Sequence, residues 1–220
     1  MIVLAFPDIH GRLEKLMKLS SEIANADLVL LLGDITNFGN KSDMRSMVDE
    51  VLAINQNCLA VPGNCDQQET EIVLNELGIN LNGAHKIING LAFVGLGASL
   101  ATPSGGTPFE VTESYMSQKL EAAVVGLDDS HPMILVSHQP PYNTTADAVN
   151  PSLHVGSYKV RDFIENNQPM LCFTGHIHEG QGVDTIGKTK VINSGPVFQG
   201  NYAYAEISDS IDLLEIRSIA

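Results

Sequence analysis

The sequence contains few basic residues. Its 220 residues include 12 lysines and arginines against 26 aspartates and glutamates, so its formal net charge is −14 at pH 7. A protein this acidic repels nucleic acids and anionic lipid surfaces, which attract proteins mainly through lysine and arginine. The composition therefore argues against a nucleic-acid partner and against binding to a membrane surface.

Cysteines and long apolar segments are also scarce. The three cysteines, Cys58, Cys65 and Cys172, are odd in number and widely spaced, which excludes a disulfide framework or a zinc knuckle and fits a reducing compartment. No apolar run approaches the ~20 residues of a membrane span, and Met1 leads directly into the apolar segment Ile2–Phe6 without a basic leader. We expect a cytoplasmic protein with no membrane segment.

The sequence does contain many short apolar segments, most of them continuous. The predicted strands are Ile2–Phe6, Leu28–Leu32, Cys58–Val61, Leu91–Leu96, Met133–Val136, Met170–Phe173, Gly182–Ile186, Thr189–Asn193, Ala203–Ile207 and Ile211–Ile216. Continuous apolar runs are typical of strands covered on both faces. Helical spacing of apolar residues between the early strands predicts a β-α-β-α-β first half, and the glycine-punctuated segments after Met170 predict antiparallel hairpins.

These patterns predict one domain over residues 1–220, of the α/β class, with sheets that carry helices on their outer faces. The length and the 44% apolar content are sufficient for one full core. Two long connections, Ala98–Glu110 and His138–Gly156, contain several prolines and glycines. Loops of this length are uncommon unless they are functional, so we expect them to border the site.

Polar residues follow five of the predicted strands at their carboxyl ends, where open α/β sheets usually bind ligands. They are Asp8, His10, Asp34, Asn64, His138, His176 and His178. Each of them alone is better explained as a turn or cap residue or as a hydrogen-bonded histidine. The neighbouring Asp66 is explained by the pattern Asp66-x-x-Glu69, which predicts a capping box for the next helix. Metal-ligand residue types at five strand ends, however, indicate a shared metal site.

The ordered motifs Asp8-x-His10, Gly33-Asp34, Gly63-Asn64-x-Asp66, His138 and Gly175-His176-x-His178 resemble the calcineurin-like metallophosphoesterase superfamily over most of the chain. The resemblance implies a two-sheet β-sandwich flanked by helices, with two divalent metals at the strand ends. It assigns Asp8, His10 and His178 to the first metal, Asn64, His138 and His176 to the second, and Asp34 to both. Manganese is the expected metal, with iron, zinc, nickel and cobalt as alternatives.

Two metals about 3.5–4 Å apart would share a water, lower its pKa to give a hydroxide nucleophile and neutralise the phosphoryl oxygens during in-line attack. Asp34, Asn64 and His138 are the expected catalytic residues. Many family members have a histidine at position 65 that protonates the leaving group, whereas this chain has Cys65. The Gly-Asn-Cys-Asp form resembles compact prokaryotic members that act as phosphodiesterases with manganese.

Three residues are predicted to contact substrate: Cys65, His154 and Arg161. Each also has a simpler interpretation, as a small buried cysteine, a loop histidine and a solvated helix charge. Two divalent ions, Asp8, Asp34 and a bridging hydroxide together carry about +1, which gives an acidic protein a local attraction for small anions. We therefore expect hydrolysis of small phosphodiesters. The alternatives are a phosphomonoesterase or nuclease of the same fold, or a non-catalytic scaffold, and self-association stays open.

Overall fold

The structure is a computed structural model that describes residues 1–102, 105–128 and 130–219. The described helices are α1 (Leu13–Met17), α2 (Ser20–Asn25), α3 (Lys41–Ile54), α4 (Glu71–Glu76), α5 (Glu113–Ala123) and α6 (Tyr158–Asn167). The strands of the first half are β1 (Ile2–Phe6), β2 (Leu28–Leu32), β3 (Cys58–Val61), β4 (His85–Ile88), β5 (Leu91–Leu96), β6 (Ser99–Leu100) and β7 (Glu110–Val111). Those of the second half are β8 (Met133–Ser137), β9 (Ala148–Asn150), β10 (Leu153–His154), β11 (Leu171–Thr174), β12 (Gly182–Ile186), β13 (Thr189–Asn193), β14 (Asn201–Ile207) and β15 (Ile211–Ser218).

The main strands form two sheets that contain parallel and antiparallel pairs. The first sheet has the order β15-β14-β1-β2-β3, and β1, β2 and β3 run parallel. The second has the order β12-β13-β11-β8-β5-β4, and its four central strands run parallel. Five of these parallel strands, β1, β2, β3, β8 and β11, are followed by the loops that carry the predicted metal ligands.

The two sheets pack face to face, and helices cover their outer faces. Val3 and Leu30 of the first sheet share one buried cluster with Phe93, Val136 and Phe173 of the second. Side chains on both faces of the central strands are therefore removed from water, which explains their continuous apolar sequences. The predicted two-sheet sandwich flanked by helices is confirmed.

Separate clusters attach the helices to the sheets. On the first sheet, Leu16 of α1, Ile23 of α2 and Val48 of α3 pack against the strands. On the second, Met116 of α5 and Val160 of α6 do the same. The apolar residues therefore lie on the helix faces that turn toward the sheets, as the helical spacing predicted.

The predicted strand bounds agree closely with the structure, but some details differ. Between the first two strands, the helical spacing of apolar residues from Leu13 to Ala24 predicts one helix, whereas the structure has two short ones, α1 and α2. The strand β4 was not predicted, because its four residues lie on an edge and its middle two are exposed, which leaves no continuous apolar signal. The β12–β13 pair is one of the hairpins predicted after Met170, and its connecting turn has Gly187 at a positive φ of 59°.

The two long connections contain regular structure. The strands β6 and β7 pair within the first, and a 3-10 turn at Thr145–Asp147 precedes the β9–β10 hairpin in the second. Pro103 and Ser104, in the first connection, lie outside the described residues. The longest described helix, α3, has 14 residues. In the described part of the chain no helix combines the length and apolar composition needed to cross a membrane.

Candidate metal centre

The seven predicted ligands meet where the two sheets bring their parallel strand ends together. Asp8 and His10 follow β1, Asp34 follows β2 and Asn64 follows β3, whereas His138 follows β8 and His176 and His178 follow β11. The His176 backbone N–H donates to Asp8 Oδ2 at 3.0 Å, which joins the loops of the two sheets. The side chains of Asp8, Asp34, Asn64 and His138 are buried. The site is therefore a feature of the sandwich and not of either sheet alone.

The Asp34 carboxylate lies at the centre of this cluster. Its Oδ2 is 3.5 Å from His10 Nε2, and its Oδ1 is 3.6 Å from His138 Nε2. Asn64 Oδ1 is 3.0 Å from His138 Nε2, and His178 Nε2 is 3.6 Å from Asp8 Oδ1. The two oxygens of Asp34 thus face two different sets of donors, an arrangement suited to a carboxylate that bridges two ions.

The backbone at the ligands is not extended. Asp8, His10, Asp34 and His176 have φ values of 55°, 48°, 48° and 67°. Residues other than glycine rarely adopt this left-handed region, and where they do the strain often marks a functional site. Extended backbone would direct Asp8 and His10, and likewise His176 and His178, toward a shared side, but here left-handed turns aim these side chains instead.

Close approach of the loops requires glycine at position 63. A Cβ on Gly63 would lie 2.1 Å from Asp34 Oδ1, a distance that would displace the central carboxylate. The Cys65 N–H donates to the same oxygen at 2.7 Å. The glycine before Asn64 thus leaves room for the Asp34 carboxylate, which the adjoining backbone then holds by a hydrogen bond.

Burial and neighbouring charges shift the pKa values in this cluster. Burial raises the pKa of Asp34, and the nearby carboxylate of Asp8 adds to the effect. Burial also favours the neutral form of Asp8, but the rings of His178, His138 and His10 outweigh it, so the pKa of Asp8 is lowered. These opposite shifts show that Asp34 in particular lacks a sufficient positive partner among the described side chains.

Burial and neighbouring charges also shift the pKa values of the histidines. Burial lowers the pKa of His176 to about 3 and also lowers the pKa of His10. Burial works against the charged form of His178 as well, but its contact with Asp8 raises its pKa overall. His138 donates from Nδ1 to the carbonyl oxygen of Leu32 at 2.7 Å. That hydrogen bond leaves the lone pair of Nε2 directed into the cluster, which is the tautomer needed for ligation.

The residues present fit divalent metal ions. Asp8 Oδ1 and His10 Nε2 are buried and have no hydrogen-bond partner among the described residues, although an unsatisfied buried polar atom is costly. Potential donor atoms of Asp8, His10 and His178 lie within 4.8 Å of one another, as do those of Asp8, Asp34 and His138. Carboxylate, imidazole and amide donors suit manganese, iron or zinc. Cations would satisfy the unpartnered atoms and compensate the buried carboxylates.

Asp66 has a structural role, but the predicted capping box is wrong. Its buried carboxylate accepts hydrogen bonds from the N–H groups of Ile35 and Gly63 and from the N–H and hydroxyl of Thr36. The 3-10 turn that follows begins at Gln68, and its first residue is not capped by a side chain. Asp66 therefore ties the Asp34 loop to the Asn64 loop, and burial raises its pKa to about 6.

Two residues that support the site were not predicted as such. Phe198 lies edge-on to the rings of His10 and His178, with centroid distances of 5.4 and 5.1 Å. The amide of Asn193 donates to the carbonyl oxygens of Gly175 and Ile177 at 3.4 and 2.8 Å. A phenylalanine has no metal-ligand chemistry to detect, and the sequence Asn193-Ser194-Gly195-Pro196 indicates by itself only a turn or the floor of the site.

Two of the three predicted substrate residues, Arg161 and His154, contact other parts of the chain. Arg161 donates to the carbonyl oxygens of Tyr142 and Asn143 and to the Glu165 carboxylate, so its guanidinium supports the loop after His138. His154 Nδ1 is 2.7 Å from Asp147 Oδ1. Their contacts with substrate stay predictions.

Cys65 is buried and lies inside the cluster. Its Sγ accepts a hydrogen bond from Asn64 Nδ2 at 3.5 Å, so this amide is turned toward sulfur and not toward open space. Burial and the carboxylates of Asp34 and Asp66 raise the pKa of the Cys65 thiol. Bound cations would act in the opposite direction.

Solved structures share this fold. The protein TT1561 of Thermus thermophilus superposes with a TM-score of 0.77 at 20% identity, over 100% of this chain and 99% of that one. A purple acid phosphatase from yellow lupin (Lupinus luteus) seeds has a TM-score of 0.67 at 12% identity, over 99% of this chain and 51% of that one. An archaeal phosphodiesterase has a TM-score of 0.56 at 14% identity, over 99% of both chains. This chain therefore shares its overall fold with these three proteins.

Sequence comparison gives the family itself. The family model described as calcineurin-like phosphoesterase matches residues 1–180. The uncharacterised protein MJ1162 of Methanocaldococcus jannaschii is 38% identical over 200 residues, which are 89% of this chain and 88% of that protein. The chain belongs to the calcineurin-like phosphoesterase family. It is a phosphoric ester hydrolase, and the family uses divalent metals.

Proposed function

We propose that this protein is a dinuclear metal phosphodiesterase that hydrolyses small phosphate esters. The observation that carries the proposal is the Asp34 carboxylate, whose two oxygens face His10 on one side and His138 on the other at 3.5 and 3.6 Å. A carboxylate with separate donor groups on its two sides can serve two cations at once. The unpartnered Asp8 Oδ1 and His10 Nε2 support the same arrangement.

Two donor groups then flank Asp34. We assign Asp8, His10 and His178 to the first ion and Asn64, His138 and His176 to the second, with manganese as the metal predicted for them. When bound, two divalent ions generate a water-derived nucleophile near neutral pH and offset the charge of the phosphoryl oxygens. The chain fixes the geometry, because the N–H of Cys65 holds Asp34 Oδ1 and the Leu32 carbonyl orients the His138 ring.

Small substrates are supported by the charge distribution. The chain has a net charge of −14, which opposes long polyanions, whereas two bound cations would attract a single phosphate group locally. The structural neighbour that is described as an archaeal phosphodiesterase supports the choice of diesters. We extend the proposal to one domain over residues 1–220, since the two sheets share a common core. A cytoplasmic location is part of the proposal and fits the three free cysteines.

The test is metal analysis of the purified protein followed by assays on matched aryl phosphomonoesters and phosphodiesters. We expect two divalent ions per chain and faster turnover of the diester. Asp34→Asn and His138→Ala should lose at least about a hundredfold in kcat, because each removes a charge or a ligand at the reaction centre. His131→Ala, at the amino end of β8 and away from the cluster, is the matched control.

Two outcomes would contradict the proposal. Wild-type turnover in both Asp34→Asn and His138→Ala would exclude the assigned metal centre. A turnover ratio that favours the monoester by about tenfold or more would retain the centre but replace the phosphodiesterase with a phosphomonoesterase.

A further inference from the structure

A third group of donor atoms overlaps the proposed centre and includes a thiol. A ring nitrogen of His10, a carboxylate oxygen of Asp34 and Sγ of Cys65 all lie within 4.8 Å of one another. The first two belong to the ligands assigned above, whereas Cys65 does not. Cys58 and Cys172, the other free cysteines, lie in apolar clusters on the outer faces of the two sheets. Cys65 therefore differs from them in its surroundings.

The surrounding hydrogen bonds fix Cys65 in this position. Its N–H donates to Asp34 Oδ1 at 2.7 Å, and its carbonyl oxygen accepts from the Phe38 N–H at 3.0 Å. The Asn64 amide donates to Sγ at 3.5 Å, while the Oδ1 atom of the same amide lies 3.0 Å from His138 Nε2. Sulfur thus acts as an acceptor inside the cluster, and the backbone holds it beside the central carboxylate.

Independent evidence for a ligand comes from the atoms around the thiol. His10 Nε2 is buried without a hydrogen-bond partner among the described residues, although Asp34 Oδ2 is 3.5 Å away. Asp8 Oδ1, in a carboxylate that is only 1% exposed, is likewise unpartnered. Buried atoms of this kind are rare unless something unseen satisfies them. A ring nitrogen of His10 lies within 4.8 Å of Asp8 in one group of potential donors and of Cys65 Sγ in another, so a cation bound at His10 has the sulfur nearby.

We propose that Cys65 is a thiolate ligand of the first metal ion, in addition to Asp8, His10, His178 and Asp34. The inference rests on the proposed dinuclear centre and extends it by one residue. On binding, a bond forms from sulfur to the metal, the S–H bond breaks and its proton leaves to solvent, with no change of oxidation state. Cys65 is then unable to protonate the leaving group, in contrast to the histidine that many family members have at this position.

A thiolate changes the metal preference of one position only. Soft sulfur ligands favour zinc, iron or cobalt over manganese, whereas imidazole, amide and carboxylate donors accept manganese. The first position should therefore prefer a thiophilic ion, which replaces the manganese predicted for it above. The second, with Asn64, His138 and His176, should continue to take manganese, so we expect a mixed-metal centre.

The test is a Co²⁺ titration of the full-length chain, followed by absorption spectroscopy. A cobalt–thiolate bond produces an intense near-ultraviolet charge-transfer band, which we expect to saturate after one of the two cobalt equivalents. Cys65→Ser and Cys65→Ala should lose the band and still bind two ions by calorimetry. Cys58→Ser and Cys172→Ser are matched controls and should keep it. Thermal unfolding of each variant verifies that the chain is folded.

A measurement on the unaltered protein makes the test independent of the variants. X-ray absorption of the chain loaded with two zinc ions should show one sulfur scatterer per two zinc ions, at about 2.3 Å, the usual Zn–S distance. Two bound ions with only nitrogen and oxygen scatterers and no charge-transfer band would overturn the inference and leave the proposed phosphodiesterase intact. Failure of the wild-type chain to bind any divalent ion would instead overturn both.

Discussion

Single residues in this centre are ionised or neutral according to their burial as much as their chemistry. His176 is the clearest case, since burial lowers its pKa from 6.5 to about 3. Asp66, two residues from Asn64, shows the converse, with a pKa raised to about 6 by burial. The folded, metal-free protein therefore keeps some groups neutral that would be charged in the unfolded chain, and its stability must depend on pH.

The metal-free protein should lose stability in acid because of His176. Between pH 6.5 and its folded pKa of about 3, the unfolded chain binds a proton at His176 and the folded chain does not, so stability falls as pH falls through this window. From about pH 7 to about pH 5 this amounts to about 2 kcal/mol. Asp66 acts in the opposite direction, because its folded pKa is raised.

A comparison of the chelator-treated wild type with His176→Gln separates the contribution of His176 to the pH dependence of stability from that of Asp66. Urea unfolding at each pH should show the wild type losing about 2 kcal/mol relative to the variant between about pH 7 and about pH 5. His131→Gln is the control and should follow the wild type. A constant difference between wild type and His176→Gln at all pH values would contradict the assigned shift.

Asn193 should control metal affinity without contacting the metal. Its amide holds the carbonyl oxygens of Gly175 and Ile177, on either side of His176. Removal of such a supporting hydrogen bond typically costs about 10- to 100-fold in metal affinity. Calorimetry of Asn193→Ala should show a loss of this size, whereas Asn150→Ala, a change at an exposed strand position, should bind as the wild type does. Equal affinities would show that the loop is held by other contacts.

At the level of elements, the loops between strands and helices do most of the positioning. The Glu113 carboxylate, at the start of α5, accepts from the N–H groups of Tyr158 and Lys159 at 2.8 and 3.1 Å and from the hydroxyl of Ser157 at 2.5 Å. A negative side chain thus meets the free N–H groups and the positive end of α6. This contact secures the connection that begins at His138.

Glu113→Ala should therefore lower the free energy of unfolding by about 1–2 kcal/mol. Glu121→Ala, on the same helix, removes an exposed carboxylate that contacts only Ser117 among the described hydrogen bonds and should cost less than about 0.5 kcal/mol. Chemical denaturation of both variants measures the difference. Indistinguishable midpoints would mean that the Glu113 contacts contribute no net stability.

At the level of the whole molecule, the two sheets meet over an apolar core and leave their buried carboxylates at one end. Asp8, Asp34 and Asp66 lie together there in a chain that is already strongly acidic. Bound cations would relieve that repulsion and join loops from both sheets. Metal binding at the proposed centre would therefore be coupled to folding across the sandwich.

Metal removal should destabilise the protein measurably. At a free metal concentration about 1,000 times the dissociation constant, each ion adds about 4 kcal/mol to the folded state. Calorimetric melting with a chelator should thus occur at a clearly lower temperature than with excess metal. Asp34→Asn should reduce the difference, since it weakens the shared ligand, and an unchanged melting temperature after chelation of the wild type would contradict the coupling.

Much of this architecture is readable from the chain. Continuous apolar runs such as Leu28–Leu32 and Leu91–Leu96 coincide with β2 and β5, because strands covered on both faces leave no room for polar alternation. Polar residues at the strand ends, such as Asp34 and His138, were recognisable because the residue types and their order are unusual. The short edge strand β4 and the packing of Phe198 carried no such signal.

The sequence by itself determined the family, the succession of the main strands along the chain and the residue types at the centre, since each depends on a local pattern or motif. Only the tertiary structure decided which atoms meet. The left-handed turns at Asp8 and His176, the burial that neutralises His176 and the closeness of Cys65 to His10 and Asp34 arise from packing one sheet against another. They depend on distances between residues far apart in the chain, and no local pattern specifies those distances.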